Sequence, residues 1–69
     1  MIVNRLADIE FTSREQSVIP LLLRGLTAKE IGRLLGISYR TVEEYLEVLK
    51  KKLHVRNKAE LILKLLTSF

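Results

Sequence analysis

Residues 27–53, TAKEIGRLLGISYRTVEEYLEVLKKKL, constrain the fold most, because they read as two helices joined by a three-residue turn. Thr27 and Glu30 have the spacing of a capping box, in which both side chains satisfy free backbone N–H groups at a helix start. Gly36 can take the left-handed conformation that ends a helix, and Ser38 can cap the next one. Two helices joined by Gly-Ile-Ser must cross at a steep angle, an arrangement typical of DNA-binding proteins.

The hydrophobic positions define the faces of these two helices. Ile31, Leu34 and Leu35 should form the apolar stripe of the first, and Gly32 should leave room where the second passes close. The expected buried edge of the second helix consists of Val42, Leu46, Leu49 and Leu53. Its opposite face carries Arg40, Glu43, Glu44, Glu47, Lys50 and Lys51.

Two further helices flank this pair. The first begins at Thr12, which has Glu15 at capping-box spacing, and runs to about Arg24 with Pro20 inside it. Its expected core positions are Phe11, Val18, Leu21 and Leu22. The last helix starts near Asn57 and is more apolar than one face of a short helix requires, through Ala59, Leu61, Ile62, Leu65 and Leu66. The sequence therefore predicts an all-α, four-helix domain at residues 11–69 after a short arm at residues 1–10.

Composition narrows the class of partner. Lysine and arginine outnumber aspartate and glutamate by 12 to 8, and the net charge of +4 favours an anionic partner such as nucleic acid. The chain has no cysteine, which suits the cytoplasm and removes disulfides and thiolate chemistry. Its apolar runs are far shorter than the roughly 20 residues that span a bilayer. The first ten residues lack a basic start followed by an apolar core, so we expect no secretory signal. We expect no membrane partner.

Catalysis and metal binding have little support. No serine and histidine stand with an orienting acid, and no glycine-rich phosphate loop is present, so an enzyme is rejected. His54 is the only histidine and has no second metal ligand at useful spacing. We expect no cofactor and no small-molecule ligand.

Four blocks of sequence carry a family resemblance. They are F-T-x-R-E from Phe11, G-L-T-x-K-E-I from Gly25, L-G-I-S-x-x-T-V from Leu35 and K-L-x-V-x-N-x-A-E from Lys52. Over about residues 11–66 the chain resembles the LuxR-type (GerE-like, NarL/FixJ-type) DNA-binding domains of bacterial transcription regulators. The resemblance implies insertion of helix 3 in the major groove and homodimerisation through helix 4 on a two-fold symmetric site. RNA polymerase is a further partner open to such a regulator. The expected dimer interface consists of Leu61, Ile62, Leu65 and Leu66.

The face that would read bases is acidic in this chain. Glu43 and Glu47 stand where relatives often have lysine or arginine, and Tyr45 stands where many have histidine. A carboxylate can accept a hydrogen bond from the amino group of cytosine, so the candidates for base reading are Glu43, Glu44 and Glu47. Phosphate binding would fall to side chains that bracket these acids: Thr27, Lys29, Ser38, Arg40, Thr41, Lys50, Lys51, Arg56 and Lys58.

Structural alternatives stand beside these roles. The lysines at 50–52 can instead stabilise the end of helix 3 through the helix dipole, with an ion pair between Glu47 and Lys51. The leucines of the last helix can complete the core of a single chain instead of a dimer interface. Two other functions also stay open. One is a sigma-factor region 4-like module, although the tail from Val55 weighs against it. The other is a protein-interaction module in which the acidic face of helix 3 binds a basic partner.

Overall fold

The computed structural model describes residues 10–68, which form four α-helices. They are α1 (Ser13–Leu23), α2 (Ala28–Leu35), α3 (Tyr39–Leu53) and α4 (Lys58–Ser68). Residues 10–68 contain no strand, and the predicted all-α fold is confirmed. The predicted N-terminal arm, residues 1–10, lies outside the described residues except for Glu10.

Capping boxes begin the first two helices, as their sequences predict. Thr12 Oγ1 accepts a hydrogen bond from the N–H of Glu15 at 3.1 Å, and Glu15 Oε1 accepts one from the N–H of Thr12 at 3.0 Å. Thr27 and Glu30 repeat the arrangement at the start of α2, with distances of 3.2 and 2.8 Å. Each box satisfies two N–H groups that a helix start leaves without partners, so these threonines fix where α1 and α2 begin.

The start of α4 uses a variant of the same device. Asn57 Oδ1 accepts the N–H of Glu60 at 2.9 Å, as the predicted helix start requires. The carboxylate of Glu60 reaches one residue further back than in α1 and α2, to the N–H of Arg56 at 2.8 Å. The connection between α3 and α4 is thereby held close to the first turn of α4.

Gly32 lies close to the backbone of the turn that follows α2. Gly36 adopts a positive φ of 71° and ends α2, and the N–H of Ile37 then donates to the carbonyl of Gly32 at 2.9 Å. A Cβ atom added at Gly32 would lie 2.6 Å from the carbonyl oxygen of Ile37 and 3.3 Å from the N of Tyr39. The predicted need for a small residue is confirmed, and the close neighbours are the turn and the first residue of α3.

One hydrophobic core joins the four helices. The predicted buried edge of α3 is confirmed, since all four of its residues are buried. Half-buried side chains of Phe11, Ile37 and Tyr45 pack against this core. Its buried members are Val18, Ile19, Leu22, Ile31, Val42, Leu46, Leu49, Leu53, Leu61 and Leu65.

Two hydrophobic positions differ from the predicted stripes. Leu34 is 64% exposed, because the buried side of α2 is completed by Gly32 and the half-buried Ala28, which lie on the other side of Ile31 from Leu34. In α1, Ile19 is buried where Leu21 was expected, and Leu21 is half-buried.

Two of the four residues predicted to form the dimer interface on α4 are part of the core instead. Leu61 and Leu65 are completely buried within the single chain, so neither has surface to offer to a second copy. The apolar surface of α4 consists instead of half-buried Ile62 together with Leu66 and Leu63, which are 56% and 62% exposed.

No helix among residues 10–68 is long and apolar enough to cross a bilayer.

Candidate nucleic-acid interface

A groove of about 560 Å³ runs along the outer side of α3. The opposite edge of this helix is buried, so the outer side faces away from the core. The α3 side chains that line it include both basic and acidic groups, and α4 contributes the lysine of its first turn. The lining residues are Arg40, Glu43, Glu44, Leu46, Glu47, Lys50, Lys58 and Leu61.

A second groove of about 410 Å³ connects the first turn of α2 to the start of α3. Glu43, Leu46 and Lys58 line both grooves, so the two form one continuous surface. The other residues that line the second groove are Thr27, Ala28, Lys29 and Tyr39. We refer to the lining of the two grooves together as the α3 face.

Three basic side chains on the α3 face are exposed and come from three different helices. They are Lys29 of α2, Arg40 of α3 and Lys58 of α4, and none forms an ion pair within residues 10–68. The ammonium of Lys29 lies 5.6 Å from the centre of the Tyr39 ring, within the range of a cation–π contact. Lys58 Nζ donates one hydrogen bond, to the carbonyl oxygen of Leu26 at 3.4 Å, and no carboxylate within residues 10–68 neutralises it. The three positive charges are therefore spread across the surface rather than clustered on one helix.

The hydroxyl groups predicted to bind phosphate are part of helix caps. Ser38 Oγ accepts the N–H of Thr41 at 3.2 Å and lies 3.0 Å from Thr41 Oγ1, at the start of α3. Thr27 Oγ1 caps α2 in the same way. Because helix N-termini carry partial positive charge, both starts favour a nearby anion. Only Thr27 of these three residues lines the α3 face.

Glu47 and Lys50 form an ion pair within α3. Lys50 Nζ lies 2.6 Å from Glu47 Oε2, and their side chains are 20% and 63% exposed. The hydrogen bond and the charge of Lys50 hold the pKa of the Glu47 carboxyl below its ordinary value. The predicted partner, Lys51, is wrong: the pair spans three residues instead of four. Lys50, a predicted phosphate ligand, thus already has an anionic partner.

Lys52 has a structural role that the sequence did not predict: it connects two helices. Its Nζ lies 2.6 Å from Glu15 Oε1 and 2.7 Å from the carbonyl oxygen of Glu10, and 5.5 Å from the centre of the Phe11 ring. These contacts join the end of α3 to the start of α1. The partners are 37 residues apart in sequence, so no local pattern could have indicated the pair.

Glu15 is the buried charged residue of the described chain, with 4% of its surface exposed. Burial alone raises the pKa of its carboxyl, but the hydrogen bonds from Lys52 and Thr12 and the positive charge of Lys52 outweigh burial. The net effect holds the pKa of Glu15 below its ordinary value, so this carboxylate stays ionised and keeps both partners.

The remaining predicted residues lie apart from the two grooves. Lys51 and Arg56 are exposed near the end of α3 and in the connection to α4, and neither lines the α3 face. Tyr39 does line it and is 43% exposed. Within residues 10–68 no group of three or more histidine or acidic side chains could hold a metal ion.

A third groove, of about 440 Å³, lies on α1 and is largely apolar. It is lined by Phe11, Gln16, Ile19, Pro20 and Leu23 and shares no residue with the α3 face. We refer to it as the α1 groove.

A tight three-residue connection between α2 and α3, with the outer side of α3 exposed and flanked by basic side chains, defines a helix-turn-helix domain. Comparison with known families agrees with this class. The chain belongs to the luxR family of bacterial regulatory proteins, whose sequence profile matches residues 10–65. This match replaces the alternative of a sigma-factor region 4-like module.

Several curated proteins are similar to the chain. The probable transcriptional regulator ycf29 of Cyanophora paradoxa is 50% identical over 54 residues, which cover 78% of this chain and 26% of the relative. Response regulator Rre1 of Synechocystis sp. is 43% identical over 54 residues, covering 78% of this chain and 23% of the relative. The transcriptional regulatory protein DesR of Bacillus subtilis is 39% identical over 51 residues, covering 74% and 26%.

The chain spans about a quarter of the length of these relatives. No solved structure matched the chain significantly.

Proposed function

We propose that this chain binds duplex DNA sequence-specifically as the output domain of a transcription regulator, with α3 in the major groove. The observation that carries the proposal is the α3 face, where exposed Lys29, Arg40 and Lys58 surround the outer side of one helix. An α-helix fits the width of the major groove, and basic side chains on both flanks can then bind the phosphates that border it.

Phosphate binding rests first on the three exposed basic residues of the α3 face, Lys29, Arg40 and Lys58, none of which forms an ion pair within residues 10–68. Lys51 and Arg56 extend the positive surface beyond the grooves, and the starts of α2 and α3 supply N–H groups through Thr27, Ser38 and Thr41. Lys50 contributes less in the free chain because Glu47 holds it. Base reading belongs to the acidic side chains on the same surface, Glu43, Glu44 and Glu47.

Dimerisation on a two-fold symmetric site uses the exposed side of α4 in this proposal. Ile62 and Leu66 are the predicted interface residues that retain surface, and Leu63 adds to them. Burial of exposed leucines is favourable, because it removes apolar surface from water. A second copy of α4 packed against these leucines would supply that burial. A C2 interface built from one patch on each copy then matches a symmetric DNA site.

The wider context follows from the relatives, which are named as regulators and are about four times longer than the matched region. We propose that the domain acts in the cytoplasm at the bacterial nucleoid. RNA polymerase is the partner through which such a regulator would change transcription.

Selection from a pool of randomised duplexes at low salt tests the proposal. The expected result is an enriched motif whose binding weakens steeply as salt rises, because each bound phosphate releases counterions. A pool without any enriched motif, together with binding that does not depend on salt, would contradict it. In that case Glu43 and Glu44, which have no ion pair within residues 10–68, favour a basic protein as the partner instead.

A further inference from the structure

The three acids of the α3 face are not equivalent. Glu47 Oε2 lies 2.6 Å from Lys50 Nζ, so Glu47 has a cationic partner within the helix. Glu43 and Glu44 are exposed and have no ion pair within residues 10–68. The ion pair holds the Glu47 side chain toward Lys50, whereas Glu43 and Glu44 have no such contact within residues 10–68 that fixes their direction.

Position then separates Glu43 from Glu44. Glu43 lines both grooves of the α3 face, whereas Glu44 lines only the groove along α3. The second groove brings Glu43 together with Lys29 of α2 and Lys58 of α4. Glu43 is therefore the acid that shares its surroundings with positive charges from two neighbouring helices.

These charges reduce the electrostatic cost of an acid at a DNA surface. A carboxylate in the major groove is repelled by the phosphates on both sides of the groove. Lysines that bind those phosphates place positive charge between them and the acid. Lys29 and Lys58 have no ion pair within residues 10–68 and can take that position.

We infer that Glu43 selects a cytosine, by accepting a hydrogen bond from its N4 amino group in the major groove; this rests on the proposed function. A carboxylate can only accept, and cytosine is the base whose major-groove edge offers a donor alone. Adenine places the N7 acceptor beside its amino group, guanine offers two acceptors, and thymine offers an acceptor and a methyl group. Each of these edges repels or fails to satisfy a carboxylate.

The test repeats the duplex selection with the wild-type chain and two variants, Glu43→Gln and Glu47→Gln. Each substitution removes one negative charge from an exposed position of the same helix, so the two variants are matched in charge and differ in place. Glutamine can form two hydrogen bonds with adenine, one to the N6 amino group and one to N7. Glu43→Gln should therefore change the preferred base from cytosine to adenine instead of abolishing the preference. Circular dichroism verifies that both variants keep the helical fold.

For the wild type, we expect an enriched motif with a C·G pair in each half-site. Glu43→Gln should replace that cytosine by adenine, with a change in preference of about tenfold, a typical size for one base contact. Glu47→Gln, which removes the same charge one turn further along the helix, should keep the cytosine at that position of the motif. The inference is overturned if Glu43→Gln also enriches the wild-type motif, or if the wild-type motif has no fixed cytosine. A wild type that enriches a motif unaffected by Glu43→Gln contradicts only this inference, whereas one that enriches nothing contradicts the proposed function as well.

Discussion

Lys52 Nζ lies 2.6 Å from Glu15 Oε1, and this contact fastens the last turn of α3 to the first turn of α1. The lysine also donates to the carbonyl of Glu10, while the glutamate also accepts the N–H of Thr12 in its capping box. One carboxylate thus begins a helix and joins it to the helix that is proposed to bind DNA.

Replacement of Glu15 by glutamine should therefore lower the stability of the fold. We expect Glu15→Gln to reduce the free energy of unfolding by about 1.5–3 kcal/mol at neutral pH, the usual range for a hydrogen bond to a charged group. Denaturant unfolding followed by circular dichroism measures this. Glu44→Gln is the control, because Glu44 is exposed and forms no ion pair within residues 10–68.

The same variant should also change how stability depends on pH. The pKa of Glu15 is lower in the folded chain than its ordinary value of 4.5, so the unfolded chain binds more protons as the pH falls. The stabilisation is complete above 4.5 and is lost as the pH falls through the folded-state pKa. Glu15→Gln, which cannot titrate at this position, should lose less stability than the wild type between about pH 5 and pH 3. Equal losses in the two proteins would contradict this role.

A methyl group at Gly32 should destabilise the junction of α2 and the turn. Alanine normally favours a helix over glycine, yet its Cβ would lie 2.6 Å from the backbone oxygen of Ile37. We expect Gly32→Ala to lower the free energy of unfolding by about 1–3 kcal/mol, as other overpacked sites do. Arg33→Ala, at the exposed neighbouring position, should change it by less than about 0.5 kcal/mol. A Gly32→Ala protein as stable as the wild type would show that the backbone moves apart without cost.

Arg40 should contribute to DNA affinity without selecting sequence. Arg40→Ala is expected to weaken binding to the selected duplex and to an unrelated duplex by similar factors, because a phosphate contact is blind to sequence. Fluorescence anisotropy over a range of salt concentrations should show the slope of log K against log salt reduced by about 1. Arg33→Ala removes the same charge from a residue that does not line the α3 face, and should leave the slope nearly unchanged. A larger effect of Arg33→Ala than of Arg40→Ala would place the binding surface elsewhere.

The exposed side of α4 should control association. Leu66→Glu adds a charge to a side chain that is 56% exposed, so the fold of one chain should survive while pairing of two copies is lost. Analytical ultracentrifugation on a two-fold symmetric duplex should then show one copy bound at protein concentrations where the wild type binds two. Thr67→Glu provides a matched charge at a neighbouring exposed position that is not part of the apolar surface. Pairs that persist with Leu66→Glu would contradict an α4 interface.

The sequence predicted the parts of this fold that depend on local chemistry. Capping boxes at Thr12 and Thr27 and the left-handed Gly36 depend on residues within four positions of each other, and the structure has all of them. The buried edge of α3 followed from helical periodicity alone. These features needed no knowledge of how the helices pack.

Packing decided the rest. The exposure of Leu34 and the burial of Leu61 and Leu65 depend on which side of each helix meets the core, which the composition of a short helix leaves ambiguous. The Glu15–Lys52 pair joins residues far apart in sequence. Glu47 pairs with Lys50 and not with Lys51. Both lysines lie about one helical turn from Glu47, so helix spacing alone does not decide between them.

The central claim, that the α3 face binds duplex DNA, is tested most directly by amide chemical shifts of the ¹⁵N-labelled chain titrated with the selected duplex at low salt. We expect the largest shifts along the outer side of α3, at Arg40, Glu43 and Glu44, and in the first turn of α2. Amides of Ile19 and Leu23, which line the α1 groove, should hardly change. Largest shifts around the α1 groove, or no shifts along α3 at saturating duplex, would contradict the account.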